Sequence, residues 1–120
     1  MSSINYEYFT AGMHTLCRVK SDKVIVQTDK DILNIMAESS SDRIIMRVCN
    51  FPPEFFKLPS GLIGQILGKC STYRVKLAVV GDMSDYMTDN FKAFVNETNR
   101  YGDYMFVEDE NEVVRRWKEN

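Results

Sequence analysis

The chain has 120 residues, 44% of them hydrophobic and 27% charged, with 15 basic against 17 acidic side chains. That length is one domain able to bury its own core, and that mixture excludes collagen-like and disordered classes. A formal charge of −2 offers no basic field for a phosphate backbone, so sequence-independent nucleic-acid binding is not expected.

In residues 1–12, Ile4, Tyr6 and Tyr8 alternate with polar neighbours. That pattern fits a short edge strand, with an arm or a dimer contact as the alternatives. Residues 14–19 and 23–28 are short runs of strand formers, and Lys20, Ser21 and Asp22 between them predict a hairpin turn. Thr28 or Asp29 then caps a helix with Ile32, Leu33, Ile35 and Met36 on its apolar face, ended by Ser39, Ser40 and Ser41. Residues 43–48 read as a strand, with Ile44, Met46 and Val48 on one face and Ile45 and Arg47 on the other. Pro52, Pro53 and Pro59 restrict the next stretch to a short helical turn around Glu54, Phe55 and Phe56.

Residues 60–70 carry Leu62, Ile63, Ile66, Leu67 and Cys70 at helical spacing. Gly61, Gly64 and Gly68 fall on one stripe of that helix. An interior glycine costs about 1 kcal/mol against alanine, so the stripe predicts close backbone packing on the sheet. Residues 74–80 are the strongest strand, with Val75, Leu77 and Val79 opposite Lys76, Ala78 and Val80, and Gly81-Asp82 ends it. Residues 90–100 form an amphipathic helix with Phe91, Phe94 and Val95 inward, and Gly102 marks its end. Residues 104–107 are a strand. Residues 110–118 are a last helix with acids first, Arg115, Arg116 and Lys118 last, and Val113, Val114 and Trp117 inward.

The order is therefore β-β-α-β-α-β-α-β-α. It predicts a single α/β domain with a mixed, mostly parallel sheet of about five strands. Arg47 and Lys76 on the strand faces place the helices mainly on one side. The other side, with Ile45, Ala78 and Val80, is too apolar to stay wet. Either residues 4–9 or a second copy in a homodimer is expected to cover it.

The cysteines Cys17, Cys49 and Cys70 are odd in number and widely spaced, and the one histidine is His14. This is neither a disulfide framework nor a zinc ligand set, and reduced, apolar cysteines are expected. No run approaches the ~20 apolar residues of a membrane span. Met1 to Thr10 has no basic residue followed by an apolar run, so no secretory signal is read there. The expectation is a cytoplasmic chain with no metal, no cofactor and no membrane partner.

The segments DRIIM, FFKLPSGLIGQILGKCSTYRVKLAVVGD, NFKAFVNETNR and YMFVEDENEVV lie between Asp42 and Trp117. They resemble a family of small bacterial proteins, the domain of unknown function 4180, with YRVKLAVVGD and E-x-N-R as the specific parts. The family implies no activity. The element order is also similar to the STAS fold of anti-sigma-factor antagonists. There a strand leads into a loop ending D-S-S-G-L, and a serine at the start of the helix is phosphorylated by a partner kinase. Here the local sequence is Leu58-Pro59-Ser60-Gly61-Leu62. Ser60 falls on the phospho-acceptor and Gly61 on its glycine, whereas Leu58 and Pro59 replace the aspartate and the preceding serine. The resemblance implies a non-enzymatic regulatory domain that engages a protein partner around Ser60.

Three places carry candidate sites. Ser60 is a helix cap or a phospho-acceptor, and both readings bring its oxygen to free amides. Gly81 and Asp82 stand at the carboxyl end of a strand, where α/β sheets gather ligands. Asp82 is thus a rim residue of a small-molecule site or a turn aspartate bonded to Ser84. Glu97, Asn99 and Arg100 form a polar helix end that fastens a neighbouring loop, caps the helix near Gly102, or binds a partner. No nucleophile has a visible base, because Ser60 and the cysteines would all depend on His14. No phosphate-cradling glycine loop is written in the sequence, so nothing in it points to catalysis.

Overall fold

The computed structural model describes residues 4–119, so residues 1–3 of the expected N-terminal arm lie outside the described residues. The strands are β1 (Asn5–Ala11), β2 (His14–Lys20), β3 (Arg43–Arg47), β4 (Lys76–Val80) and β5 (Tyr104–Val107). The helices are α1 (Asp29–Ser39), α2 (Leu62–Thr72), α3 (Asp89–Tyr101) and α4 (Glu110–Glu119). The sheet order is β1-β2-β3-β4-β5, antiparallel between β1 and β2 and parallel thereafter. The expected class and strand number hold.

The first hairpin is built from different residues than expected. β1 pairs with β2 in unbroken register from Asn5↔Lys20 to Ala11↔His14. Gly12 makes the turn at φ 64°, as the first position of a two-residue II′ turn requires. A Cβ on Gly12 would also stand 2.7 Å from the Lys118 carbonyl, so the hairpin tip touches the end of α4. Residues 23–28, expected as a strand, are a loop leading to α1. Ile25 and Val26 both donate their N–H to the Asn50 carbonyl, at 2.9 and 3.0 Å. That satisfies the run's amides without a neighbouring strand, while Val26 is fully buried.

Three helices share one face of the sheet. Ile44, Met46, Leu77, Val79 and Phe106 meet Ile32 and Ile35 of α1, Ile63 and Ile66 of α2, and Phe91 and Val95 of α3. Asp31 completes the entry to α1, accepting N–H bonds from Gln27 at 2.9 Å and Thr28 at 3.2 Å. Thr88 Oγ1 accepts from Phe91 N–H at 3.2 Å to start α3, and Gly102 at φ 84° ends it.

The opposite face is covered by α4, which corrects the expectation of an N-terminal cover or a second chain. Val113 and Trp117 pack on Leu16, Ile45, Ala78 and Met105. Residues 4–9 run mostly along the sheet edge instead, and Phe9 alone among them packs against this cluster. The physical reason lies in the topology. Among the described residues α4 does not connect two strands, so the right-handed crossover rule that places α1 to α3 does not bind it. It settles where apolar area remains. Trp117 Nε1 donates to the Gly102 carbonyl at 2.7 Å. Buried Arg43 donates from Nη1 to the Trp117 carbonyl at 3.1 Å, placing a cation at the C-terminal end of α4. The charged residues that argued for an uncovered face are accommodated at its margins. Lys76 pairs with Asp103 at 3.3 Å. Arg47 is exposed at the rim.

The glycine stripe also departs from expectation. Gly64 and Gly68 are exposed, and nothing lies within 4 Å of a Cβ built on either. The apolar side of α2, with Ile63, Ile66 and Cys70, turns inward and carries the glycines outward. Neither glycine has a positive φ. The double substitution Gly64→Ala/Gly68→Ala should therefore stabilise the domain by about 1–2 kcal/mol. The readout is a higher denaturant midpoint at unchanged slope. A lower midpoint would place the stripe against another surface.

Candidate functional site

The parallel strands β2, β3 and β4 end at a common rim, and the chain segments leaving β3 and β4 form its walls. After β3 the backbone forms 3-10 turns at Val48–Asn50, Pro53–Phe56 and Leu58–Ser60, the last two carrying a proline at their start. Phe51 and Phe55 anchor this segment in the core, stacked at 4.2 Å between ring centroids. Phe56 stacks on Tyr86, which lies in the turn Ser84–Tyr86 after β4, at 4.5 Å and 12°. Between the two segments runs a groove of about 900 Å³, walled by Phe56, Leu58, Pro59 and Ser60 on one side and by Asp85, Tyr86 and Asn90 on the other.

Ser60 is exposed and stands one residue before the N-cap of α2, which corrects the expectation that Ser60 is that cap. The N-cap of α2 is Gly61, at φ 76°, because the chain reverses there out of the 3-10 turn. The Ser60 hydroxyl still serves the helix, accepting from Leu62 N–H at 3.2 Å. It simultaneously donates to the Glu54 carbonyl at 2.7 Å. One oxygen thus ties the start of α2 to the preceding turn and fixes the groove wall.

Asp82 is fully exposed and accepts from Ser84 N–H at 2.9 Å, which holds its carboxyl below the usual range. This is the geometry of a turn aspartate. Gly81, at φ 141°, has a Val48 methyl 3.1 Å from where a Cβ would stand. Gly81, without Asp82, lines a second cleft of about 340 Å³ with Arg18, Lys20, Ile45, Arg47 and Glu110. Arg18 grips Glu110 from Nε at 2.7 Å and from Nη2, also bonds Glu7, and lies 4.5 Å over the Phe9 ring. That cluster fastens the first turn of α4 to β2.

Asn99 fastens α3 to β5. Its Oδ1 accepts from Phe106 N–H at 2.8 Å and its Nδ2 donates to the Phe106 carbonyl at 3.0 Å. The amide therefore acts like a neighbouring strand on the outer edge of β5. Arg100 pairs with Glu97 at 3.5 Å on the exposed helix surface, and its carbonyl accepts from Arg116 at 3.1 Å. None of the three lines the Ser60 groove or the Gly81 cleft.

The profile of a family described as Domain of unknown function (DUF4180) matches residues 11–117. The chain belongs to this family. No curated protein and no solved structure matches it. The DUF4180 span runs from the hairpin tip to Trp117 and takes in every candidate site. It begins earlier than the Asp42 to Trp117 stretch from which the family was read.

Two residues with large structural roles in this DUF4180 domain carry no mark in the sequence. Asn50 is fully buried; its Oδ1 accepts from Arg47 N–H at 2.8 Å, and its Nδ2 donates to the Ser21 and Lys23 carbonyls at 3.0 and 2.9 Å. Arg43 Nη2 stands 3.4 Å from His14 Nε2. His14 opens β2 and so sits at the end of the parallel strands opposite the rim that carries Ser60.

Burial pushes the Cys17 thiol up to about 11 and the Cys70 thiol up to about 12, whereas Cys49 is exposed. The thiolate is the reactive form. A thiol reagent such as Ellman's should therefore titrate one of the three cysteines rapidly in the native protein and all of them after unfolding. Rapid native labelling of Cys17 or Cys70 would contradict this packing. No helix among the described residues is long and apolar enough to cross a membrane.

Proposed function

We propose that the chain is a non-enzymatic regulatory domain of the STAS-like kind, acting in a bacterial cytoplasm, whose protein partner docks on the groove beside Ser60. One observation carries this reading: the Ser60 hydroxyl bridges Leu62 N–H and the Glu54 carbonyl at the groove wall. A phosphate on that oxygen has no proton for Glu54. It would be repelled by the carbonyl and attracted to the amides opening α2. Phosphorylation would therefore move the wall that Leu58 and Pro59 form, and with it the docking surface. The aromatic floor of Phe56 and Tyr86 gives a partner apolar contact, and Lys57 and Asp85 give it polar contacts at the margin.

Affinity capture from the source cells with the parent chain, Ser60→Ala and Ser60→Asp tests this. A partner held by the parent should be retained by Ser60→Ala and weakened by Ser60→Asp about tenfold or more. Ser60→Ala should cost about 1 kcal/mol of stability through the lost bonds to Leu62 N–H and the Glu54 carbonyl. Equal binding of the same partner to the parent and to Ser60→Asp overturns the switch. Good phosphopeptide coverage without modified Ser60 under any growth condition does the same.

A second reading is favoured by the cleft at Gly81, where Lys20 and Arg47 stand at the carboxyl ends of two adjacent strands beside the Arg18–Glu110 pair. A small anionic ligand there would make the chain a small-molecule-binding module. A ligand carried through purification and seen by native mass spectrometry, then lost on Arg47→Glu, would favour this reading over the first.

A further inference from the structure

The two edges of the sheet are finished differently. The β5 edge is four residues long, and Asn99 occupies both the N–H and the carbonyl of Phe106. The β1 edge is seven residues long, and no strand lies on its outer side among the described residues. Sheets usually guard such an edge with lysine, proline or a bulge. β1 reads Asn-Tyr-Glu-Tyr-Phe-Thr-Ala and pairs with β2 without a bulge; it has no lysine and no proline, and its one charged side chain, Glu7, is tied to Arg18 on β2.

The hairpin geometry says which backbone groups are free. The pair closing a two-residue turn, Ala11↔His14, exchanges both hydrogen bonds, and such pairs then alternate. Ala11, Phe9, Glu7 and Asn5 therefore bond to β2. Thr10, Tyr8 and Tyr6 direct their N–H and carbonyl groups outward. An antiparallel copy of the same strand centred on Tyr8 matches that spacing. Tyr8 meets Tyr8 of the second copy, and each Tyr6 meets a Thr10. The same register sets Glu7 against Phe9 and keeps the two carboxylates from facing each other. Each Glu7 is paired with Arg18 of its own chain, which it shares with Glu110. Tyr8 also lines an apolar groove of about 720 Å³ with Thr15, Leu33, Met36, Ala37 and Tyr73, and the tyrosines of the second copy would extend that surface.

We propose that β1 is a homodimer interface, in which two copies join antiparallel about a two-fold axis at Tyr8 to form one continuous sheet. This interface lies away from the Ser60 groove and does not depend on the function proposed for it.

Sedimentation equilibrium of the parent, Tyr8→Lys and Thr10→Lys over a concentration series tests the proposal. Edge lysines leave the bonds to β2 intact but disfavour a second strand. The parent should show a monomer–dimer equilibrium, and each lysine variant should weaken it about tenfold or more. Far-UV spectra should stay close to the parent's, as should the unfolding midpoint of Thr10→Lys, whereas Tyr8→Lys also loses the hydroxyl bond to the Ser39 carbonyl at 2.7 Å and should unfold somewhat earlier. Amide exchange supplies a readout that needs no variant: Tyr6, Tyr8 and Thr10 amides should be protected in concentrated protein and exposed on dilution. A parent that remains monomeric to its solubility limit overturns the proposal. So does a dimer in which these three amides exchange freely.

Discussion

Replacing Trp117 with alanine should remove about 3–5 kcal/mol of stability, a large part of what holds a domain of this size together. Trp117 is fully buried and is the largest side chain between α4 and the sheet. Its loss leaves a cavity over Leu16, Ile45, Ala78 and Met105, and the Gly102 carbonyl loses its indole donor. Small neighbours such as Ala78 cannot swing into the gap, so collapse recovers little. Trp117→Phe separates the two contributions. It keeps most of the ring area and loses the hydrogen bond, so about 1–2 kcal/mol is expected. Both values come from guanidinium unfolding followed by far-UV circular dichroism, because Trp117 is the single tryptophan and the variants have no indole signal. A loss below about 1 kcal/mol for Trp117→Ala is what a surface site would give. It would mean that α4 does not cover this face.

That α4 covers the face was only half legible. Val113, Val114 and Trp117 announce an amphipathic helix by their spacing, and the acids in its first turn and bases in its last suit its dipole. Nothing local says which side of a sheet a terminal helix takes. The expected apolar second face was correct as a surface, and only its cover was misassigned. The glycines of α2 show the same gap. Their spacing reveals a common stripe, but whether a stripe points in or out depends on where the larger apolar stripe points.

The hairpin failed for a different reason. Two pairs of strand-forming runs compete, and the polar triplet Lys20, Ser21 and Asp22 is a stronger turn signal by composition than Gly12-Met13. The structure chooses the other pairing because Asn50 takes the amides of Ile25 and Val26 from far along the chain. By contrast, β5 matches its expected span and α3 and α4 match within a residue, since each has strong periodicity between clear end signals. Ser60 was legible as an exposed polar residue at the start of α2. Its groove was not, because the opposite wall of Asp85, Tyr86 and Asn90 follows the next strand.

The second large effect is expected at Asn50, which sequence reasoning passed over because a turn asparagine looks alike buried or exposed. Asn50→Ala leaves the Arg47 N–H without its acceptor, takes the donor from the Lys23 carbonyl, and leaves the Ser21 carbonyl only longer contacts such as Arg47 Nη1 at 3.5 Å. An unsatisfied group costs about 1–3 kcal/mol when fully buried, and these groups are part-buried and reached by water, so a loss of about 2–4 kcal/mol is expected for the whole knot. The damage should spread, because the segment running to Ser60 starts from this knot. Amide exchange across residues 51–61 should accelerate more than in the distant α4. Asn50→Asp tests the donor alone. It keeps an acceptor for Arg47 but sets carboxylate oxygens against two carbonyls. The protonated carboxyl can donate to one of them, so its folded pKa should rise above the unfolded value of about 3.9. A raised folded pKa gives stability that is fully present below the unfolded pKa and lost as pH rises through the folded one. Unfolding of Asn50→Asp should therefore approach the parent in acid and fall away from it toward neutral pH. The Asn50→Ala deficit should show no such trend. A deficit for Asn50→Asp that stays constant across that range would place this side chain in water instead of at the centre of the knot.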